Sequence, residues 1–550
     1  MHRRAFVASL ISPLTLSLGC AARVRGASNE APVAPSPAPA DSRARALEAM
    51  RRATTFMREK VAHRGGYVWA YLPDFSRSWG ELEAKRSMCW LQPPGTPSVG
   101  HLFLDAFHAT RDRFYLEAAL EVAGAVVAAQ HASGGWNYVH DFAGEASLRD
   151  WYQTVARNGW RLEEFHQHPD NGTFDDACTA AATQFLMRLQ ASHRTAEVGL
   201  ALERAIRFLL ESQYPSGGWP QRYPLENDYT RLLTFNDDVL GENIRSLLMI
   251  RATLRDFDVL GQLRSAMDSV ATLQRPAPQP AWGLQHDLAG KPAAARSFEP
   301  AALATHTTGA NIKQLLAFHR LTGDPKYLAR VPEALDWLDK VRLSPEQSIQ
   351  HGGTHPTFIE IGSGDRLYVH RRGSNVVNGK YFVDEKMWPR LSHYAPVRSI
   401  DVPALRRAYA DARAPGSGAR LLDLPPARAL PKYFSFGTAT LAELCTGQDP
   451  PSPVVTDARV RELVEALDGA GRWLSPLELS TNPYRGPGDP TPYEQATYAS
   501  TNVGDRTDTS PYRQGDRPST YPPETPPLGI SVRTFLRNMA ELIAYVSPIR

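Results

Sequence analysis

The chain has 550 residues, 42% of them apolar, and carries 61 Lys and Arg against 58 Asp and Glu, a net charge of +3. That length allows several domains, or one large helical domain with extensions. The near-balanced charge and the lack of a long Lys/Arg run give no electrostatic footprint for nucleic acid, and no apolar stretch reaches the about eighteen residues of a membrane span.

The N-terminus reads MHRRAFVASLISPLTLSLGCAARVRGAS. Arg3 and Arg4 precede an apolar run from Ala5 to Gly19, the order of a bacterial export signal, taken here as residues 1–27. The run SLGC at 17–20 is similar to a lipobox with Cys20 as the acylated residue, although Ser17 stands where Leu is usual. Ordinary cleavage after Ala27 is the rival to a lipid anchor in the outer membrane. Either way the chain is expected to be exported to the periplasm, the outer membrane or the medium. Residues 28–42, with APVAPSPAPA at 31–40, read as an extended tether. Cys89, Cys178 and Cys445 fit no metal spacing and are expected to be buried thiols.

Apolar residues then recur at helical spacing. The segments 47–62, 101–112, 114–130, 177–192, 197–213, 239–257, 310–324 and 326–342 are expected helices, several of them joined as hairpins. Strand alternation is scarce; 358–362 and 365–370 are the best candidates. Two hairpins end alike. AAQHASGGWNYVHDF and ESQYPSGGWPQRYPL both read Gln-x-x-Ser-Gly-Gly-Trp, and Trp282 marks a degenerate third copy. Repeated helix hairpins of this kind predict a mainly α fold, an (α/α) toroid with long loops lining a central cleft and few short strands. Capping explains one Gly at a helix end, but not the second Gly or the Trp. The toroid is expected over 43–410. Residues 411–550 are expected to be an extension, largely loop, with low complexity at 483–527 and a terminal amphipathic helix at 529–546 that docks back on the body.

Asp175 and Asp176 stand just before the helix at 177, and Asp237 and Asp238 before the helix at 239. Asp is a preferred N-cap, so each pair invites a capping role. Two adjacent acids exceed what one cap needs. If both helix starts face one cleft, four carboxylates converge and must be protonated, hydrogen-bonded or metal-bound. Oxygen donors without a His/Cys pattern point to a hard cation such as Ca²⁺, with Asp175, Asp176, Asp237 and Asp238 as candidate ligands. A third polar stretch, WGLQHDLAGKPAAARSFEP, brings Gln285, Asp287, Lys291, Arg296 and Glu299; a solvated helix-end face is the alternative. Among the loop aromatics, Trp219, Tyr223 and Tyr229 could stack on sugar rings while Arg222 and Arg231 pair with carboxylates. The alternative, in which each Trp plugs its own hairpin, is preferred for Trp136.

GGWPQRYPLENDYTRLLTFNDD resembles a signature of the family-ten pectate lyases, whose pattern runs GGWPQ-x-YP, a Tyr, then ITFNDDAM. TFDDACTAAATQFLMRL, WGLQHDLAGKPAAARSFEP and PTFIEIGSGDRLYV resemble further segments of that family in the same order, so that the likeness covers roughly 45–400. The resemblance implies an α/α toroid that cleaves polygalacturonate, or a related uronic-acid polysaccharide, by Ca²⁺-assisted β-elimination. It implies Arg296 as the base, Asp175 and Asp237 as acids binding cation or bridging to substrate, and Lys291 or a nearby Arg on the substrate carboxylate; further substrate contacts are expected from Trp219, Arg222, Tyr223, Arg231, Asn236, Asp287, Glu299 and Arg366. An Arg expected just before the last motif is Thr357 here. No nucleic-acid partner and a monomeric state are expected.

Three other readings stay open. Paired Asp could serve as acid and base in a toroidal glycoside hydrolase. The chain could be an inactive uronan-binding lipoprotein. The Gln-x-x-x-Gly-x-Trp spacing also resembles the repeat of triterpene cyclases, but no Asp-x-Asp-Asp acid motif accompanies it.

Overall fold

The computed structural model describes residues 40–156, 163–372, 380–385, 394–477 and 527–548. The export signal, Cys20, most of the tether and the low-complexity run at 483–526 lie outside the described residues. The helices are α1 (Ala40–Phe56), α2 (Thr96–Thr110), α3 (Arg113–Ala128), α4 (Glu145–Thr154), α5 (Cys178–Ser192), α6 (Ala196–Glu211), α7 (Val239–Thr253), α8 (Leu260–Thr272), α9 (Thr305–Thr322), α10 (Val331–Val341), α11 (Pro345–His351), α12 (Val402–Arg413), α13 (Leu441–Thr446), α14 (Asp457–Ala466) and α15 (Val532–Val546). Strands are short, mostly two residues long; the longest, Arg366–Arg372, pairs antiparallel with Lys380–Asp384. Among the described residues no helix is long and apolar enough to cross a membrane, and Cys89, Cys178 and Cys445 are buried free thiols.

The hairpins pack in order. Helices α2 and α3, α5 and α6, α7 and α8, and α9 and α10 pair along the chain, while α15 packs on α2, α2 on α5 and α5 on α7. Helix α13 wedges between α7 and α9, and α12 covers α9 and α10. Burial separates an inner row from an outer one. α5 buries residues all round, Thr183, Gln184 and Arg188 included, whereas α6 buries only the stripe Val198, Ala201, Leu202, Ala205, Ile206, Phe208 and Leu209. A helix buried on every side belongs in the interior, and an amphipathic one outside it. The result is the expected mainly α, (α/α)-toroid class.

The repeated loop explains the two residues that capping left over. The indole of Trp136 donates to the Val126 carbonyl at 2.7 Å, ten residues earlier, and Trp219 to Leu209 at 2.8 Å. Trp282 bonds Val270 and Trp473 bonds Leu463, each at 2.8 Å. Each accepting carbonyl lies in the last turn of an outer helix, where no intrahelical donor remains. The Trp therefore closes a helix end while its ring fills the core. At the first Gly the chain touches the neighbouring outer helix: Gly217 has φ +98°, and a Cβ there would lie 2.0 Å from the Ser265 carbonyl oxygen. A Cβ on Gly218 would lie 2.6 Å from the Leu233 side chain. Gln213 completes the joint by donating to Gly217 and Gln262 carbonyls at 2.8 and 3.0 Å. Gln130 and Gln274 make the same bridge in the other two copies.

The expected boundary at 410/411 is not a seam, because α12 runs through it. Beyond α12 the chain crosses the C-terminal ends of the inner helices rather than hanging as a linker. Arg251 of α7 bonds the Leu422 and Leu424 carbonyls, and Arg188 of α5 bonds Lys432 at 2.6 Å. Asp105 of α2 accepts from the Ser435 amide at 2.7 Å and pairs with Arg188 at 2.5 Å, both side chains buried. Helices α14 and α15 then pack on α1 and on one another. The docking expected of the terminal helix occurs, with Phe535, Met539, Leu542 and Ile543 in the main core.

Candidate active site

The acid cluster lies at the opposite end, where the inner helices start. Two turns enter it with the same backbone. Thr173-Phe174-Asp175-Asp176-Ala177 leads into α5 and Thr234-Phe235-Asn236-Asp237-Asp238 into α7. In each, two successive non-Gly residues adopt left-handed angles: Asp176 and Ala177 at φ 48° and 58°, Asp237 and Asp238 at 51° and 55°. Such angles are costly for residues with a Cβ and cluster where function over-determines the chain. The capping role read from the sequence is not taken up, since neither helix start has a side-chain cap bond. The carboxylates of Asp175, Asp176 and Asp237 turn toward one another instead, favoured by the positive ends of two helices.

Arg296 sits among them with a fully buried side chain. Its guanidinium meets Asp175 at 3.0 Å, Glu299 at 3.3 Å, Asp237 at 3.4 Å and Glu164 at 3.6 Å. Tyr138 donates to Asp175 at 2.5 Å, Tyr394 to Glu299 at 2.6 Å, and Asn236 bridges Asp237 and Glu299. Gln92, just before α2, ties Asp176 at 2.8 Å to Glu81 at 3.0 Å. Acid outweighs base here, and the pKa values show it. Burial opposes charge on Arg296, but Asp175, Glu299 and Glu164 hold its pKa well above the ordinary arginine value. Burial pushes Asp175 up, and Arg296 with the Tyr138 hydroxyl more than offsets that, leaving it lowered. Asp176 and Asp237 are driven well up, by burial first and then by the charges of their acidic neighbours. Glu164 is pushed up to about 8 by burial, against the pull of Arg296. The Asp237 side chain keeps 23% of its surface open and is the face a ligand would meet.

The structure gathers Arg296, Asp175, Asp176, Asp237, Asn236 and Glu299 from the sequence expectations. Arg222 flanks them, its guanidinium 5.2 Å from the Tyr138 ring and bonded to Asn137 at 2.8 Å. Other expectations need correction. Trp219 cannot stack on a sugar, because its ring is fully buried and its N–H is bonded within its hairpin. Asp238 turns along the first turn of α7, accepts from Gln314 at 3.1 Å and is pushed up to about 7 by burial and Glu242; it leaves the acid cluster. Asp287 spends one oxygen on the amides of Ala289 and Lys291, so both it and Lys291 belong to a surface turn. Arg366 bonds Gln347 of α11, and Arg231 bonds Asn227 in its own loop. Tyr223 packs its ring on Phe208. Sequence reasoning missed Glu164, Glu81, Gln92, Tyr394 and Arg398, which lie outside every motif.

The donors suit a hard cation in type, with oxygen ligands only and more carboxyl groups than Arg296 alone can hold ionised. Among the described residues no three acids, His or Cys are already disposed around one point as a metal cluster.

Residues 146–370 match the family model of pectic acid lyases. That segment contains both left-handed turns, Arg296, Glu164 and Glu299, and the family is the one the motifs resemble. No curated protein matches the chain significantly. Among solved structures, a family 10 polysaccharide lyase from Cellvibrio cellulosa, a mutant in complex with trigalacturonic acid, is 18% identical. The match covers 49% of this chain and 84% of that one, at a TM-score of 0.35. Cellobiose 2-epimerase from Bacillus thermoamylovorans is 12% identical over 59% of this chain and 78% of its own, at 0.34.

Proposed function

We propose that the protein is an exported lyase that cleaves polygalacturonate or a related uronic-acid polysaccharide by β-elimination with Ca²⁺. The observation that carries this reading is the buried Arg296 among Asp175, Asp237, Glu164 and Glu299, inside the segment matching the pectic acid lyase family. In such a reaction the C5–H and C4–O4 bonds break, a C4–C5 double bond forms, and the departing O4 takes a proton. The difficult part is the negative charge that gathers beside the uronate carboxylate as the C5 proton leaves. Cationic groups fixed there in advance lower that barrier. Asp175, Asp176 and Asp237 would hold a Ca²⁺, which would supply positive charge at the substrate carboxylate. Arg296 is the base that the motifs imply. Its proton is held by Asp175, Glu299 and Glu164 as long as those carboxylates face only the guanidinium, so it can accept a proton only in a complex that engages them otherwise.

The test is an assay on polygalacturonate with Ca²⁺, with and without chelator. We expect an unsaturated, ultraviolet-absorbing product that disappears with chelator and returns with added Ca²⁺. Reducing ends without that absorbance, indifferent to chelator, would establish the hydrolase reading in its place. Binding of the polymer without any cleavage would establish the inactive, uronan-binding one.

A further inference from the structure

Arg398 lies beside this site without an anion to pair with. It stands on the strand Val397–Arg398, whose partner strand is His355–Pro356. Among the described residues its guanidinium forms no hydrogen bond or ion pair, and its Nε is buried. Burial lowers its pKa, an effect that Tyr394 and Asp237 only partly offset. A buried Nε without an acceptor is costly, and the half-buried side chain leaves the rest of the guanidinium open to an anionic ligand.

Its place in the site is defined by three neighbours. The guanidinium lies 5.7 Å from the Tyr394 ring, and the Tyr394 hydroxyl is bonded to Glu299 and Asn236 of the cluster. His306, at the start of α9, is also alongside. Its Nδ1 is buried without a partner, and burial, then the charge of Arg398, keeps the ring neutral. The third neighbour is Thr357, whose amide bonds the Pro396 carbonyl at 3.0 Å and whose hydroxyl bonds Ala395. Arg398 thus stands two residues beyond the backbone partner of Thr357. The opposite flank has the same plan: Arg222 lies over Tyr138, the Tyr138 hydroxyl bonds Asp175, and Nη2 of Arg222 is buried and unpartnered.

We propose that Arg398, with His306 beside it, forms a carboxylate-binding subsite that holds a uronate on the Asp237 side of the cluster. The proposal rests on the lyase reading for its substrate class. Arg398→Gln and Arg398→Lys should be compared with the wild type in turnover of polygalacturonate, and in calorimetric binding of trigalacturonate and of its fully methyl-esterified form. Loss of a charge-assisted bidentate contact predicts a KM about tenfold higher or more for polygalacturonate in Arg398→Gln, with kcat changed far less. The methyl ester, which has no carboxylate, should show no such change in affinity, and Arg398→Lys should recover part of the affinity, which a folding defect would not. An unchanged KM and an unchanged trigalacturonate affinity in Arg398→Gln would overturn the subsite while leaving the lyase reading in place. Trigalacturonate binding that weakens in Arg398→Gln, in a protein that forms no unsaturated product, would keep the subsite and overturn the lyase. Failure of the wild type to bind any uronide would overturn both.

Discussion

Removing the charge of Arg296 should unfold the protein in a pH-dependent way. Arg296→Ala leaves Asp175, Glu299, Glu164 and Asp237 facing one another, three of them fully buried, with no cation between them. Breaking a buried ion pair from one side costs about 3–5 kcal/mol, because the remaining charge is left uncompensated. That cost exists only while the acids are ionised. In the wild type, Asp175 is held below its ordinary value and so stabilises the fold above that value, a contribution lost as pH falls. Without Arg296 the sign reverses for Asp175, and Glu164 rises beyond the about 8 it has already reached. A carboxyl raised in the folded state stabilises below its unfolded value, and that contribution is lost as pH climbs through the folded one. The gap between wild type and variant should therefore be larger at pH 8 than at pH 4.5, chiefly through Asp175, and widen further above about 8, where Glu164 ionises in the wild type first. Urea unfolding at the two pH values, read by Trp fluorescence, measures it directly. A variant as stable as the wild type at pH 8, or a gap that widens in acid, would refute the account of this cluster as one cation holding several anions.

Two further outcomes separate the site from its frame. Asp237→Asn should lower turnover by about 10²-fold or more, the scale of one preorganised electrostatic group, whereas Asp238→Asn should stay within a few-fold because that carboxylate faces Gln314 and Glu242; kcat/KM on polygalacturonate decides. Trp219→Ala should cost about 3–5 kcal/mol in urea unfolding, as for other buried aromatics, while the KM of the folded fraction stays unchanged; a raised KM at unchanged stability would restore it to the substrate.

The helical frame was legible in the sequence because its signal is periodic and local. The 3.6-residue stripes located α3, α5 and α6 to within two residues but missed the first turn of α2, and the Gly-Gly-Trp copies marked the joints. Their mechanism was not legible: the carbonyl that each indole meets lies in the same hairpin, but the backbone that forbids a Cβ at Gly217 belongs to the next one. The acid pairs were visible, their use was not. Asp before an apolar run reads as a cap, and only the left-handed turns divert Asp176 and Asp237 from that role. Glu164, Tyr394 and Arg398 carried no signal, since each reaches the cleft from a segment without motif or period. Trp219 misled for a related reason, because a conspicuous ring in a polar loop looks available until the fold covers it.

Helix α15 packs against α1 and α2, the first two long helices of the body, so the earliest described part of the chain is finished last. While synthesis proceeds, the faces of α1 and α2 that α15 will cover stay open, and the segment that seals the far ends of α2 and α5 does not yet exist. Contacts between α1 and α15 span nearly the whole sequence, the arrangement that slows folding most and leaves apolar surface exposed longest. In a body of this plan the seam between α1, α2 and α15 is the last to close as the chain is made.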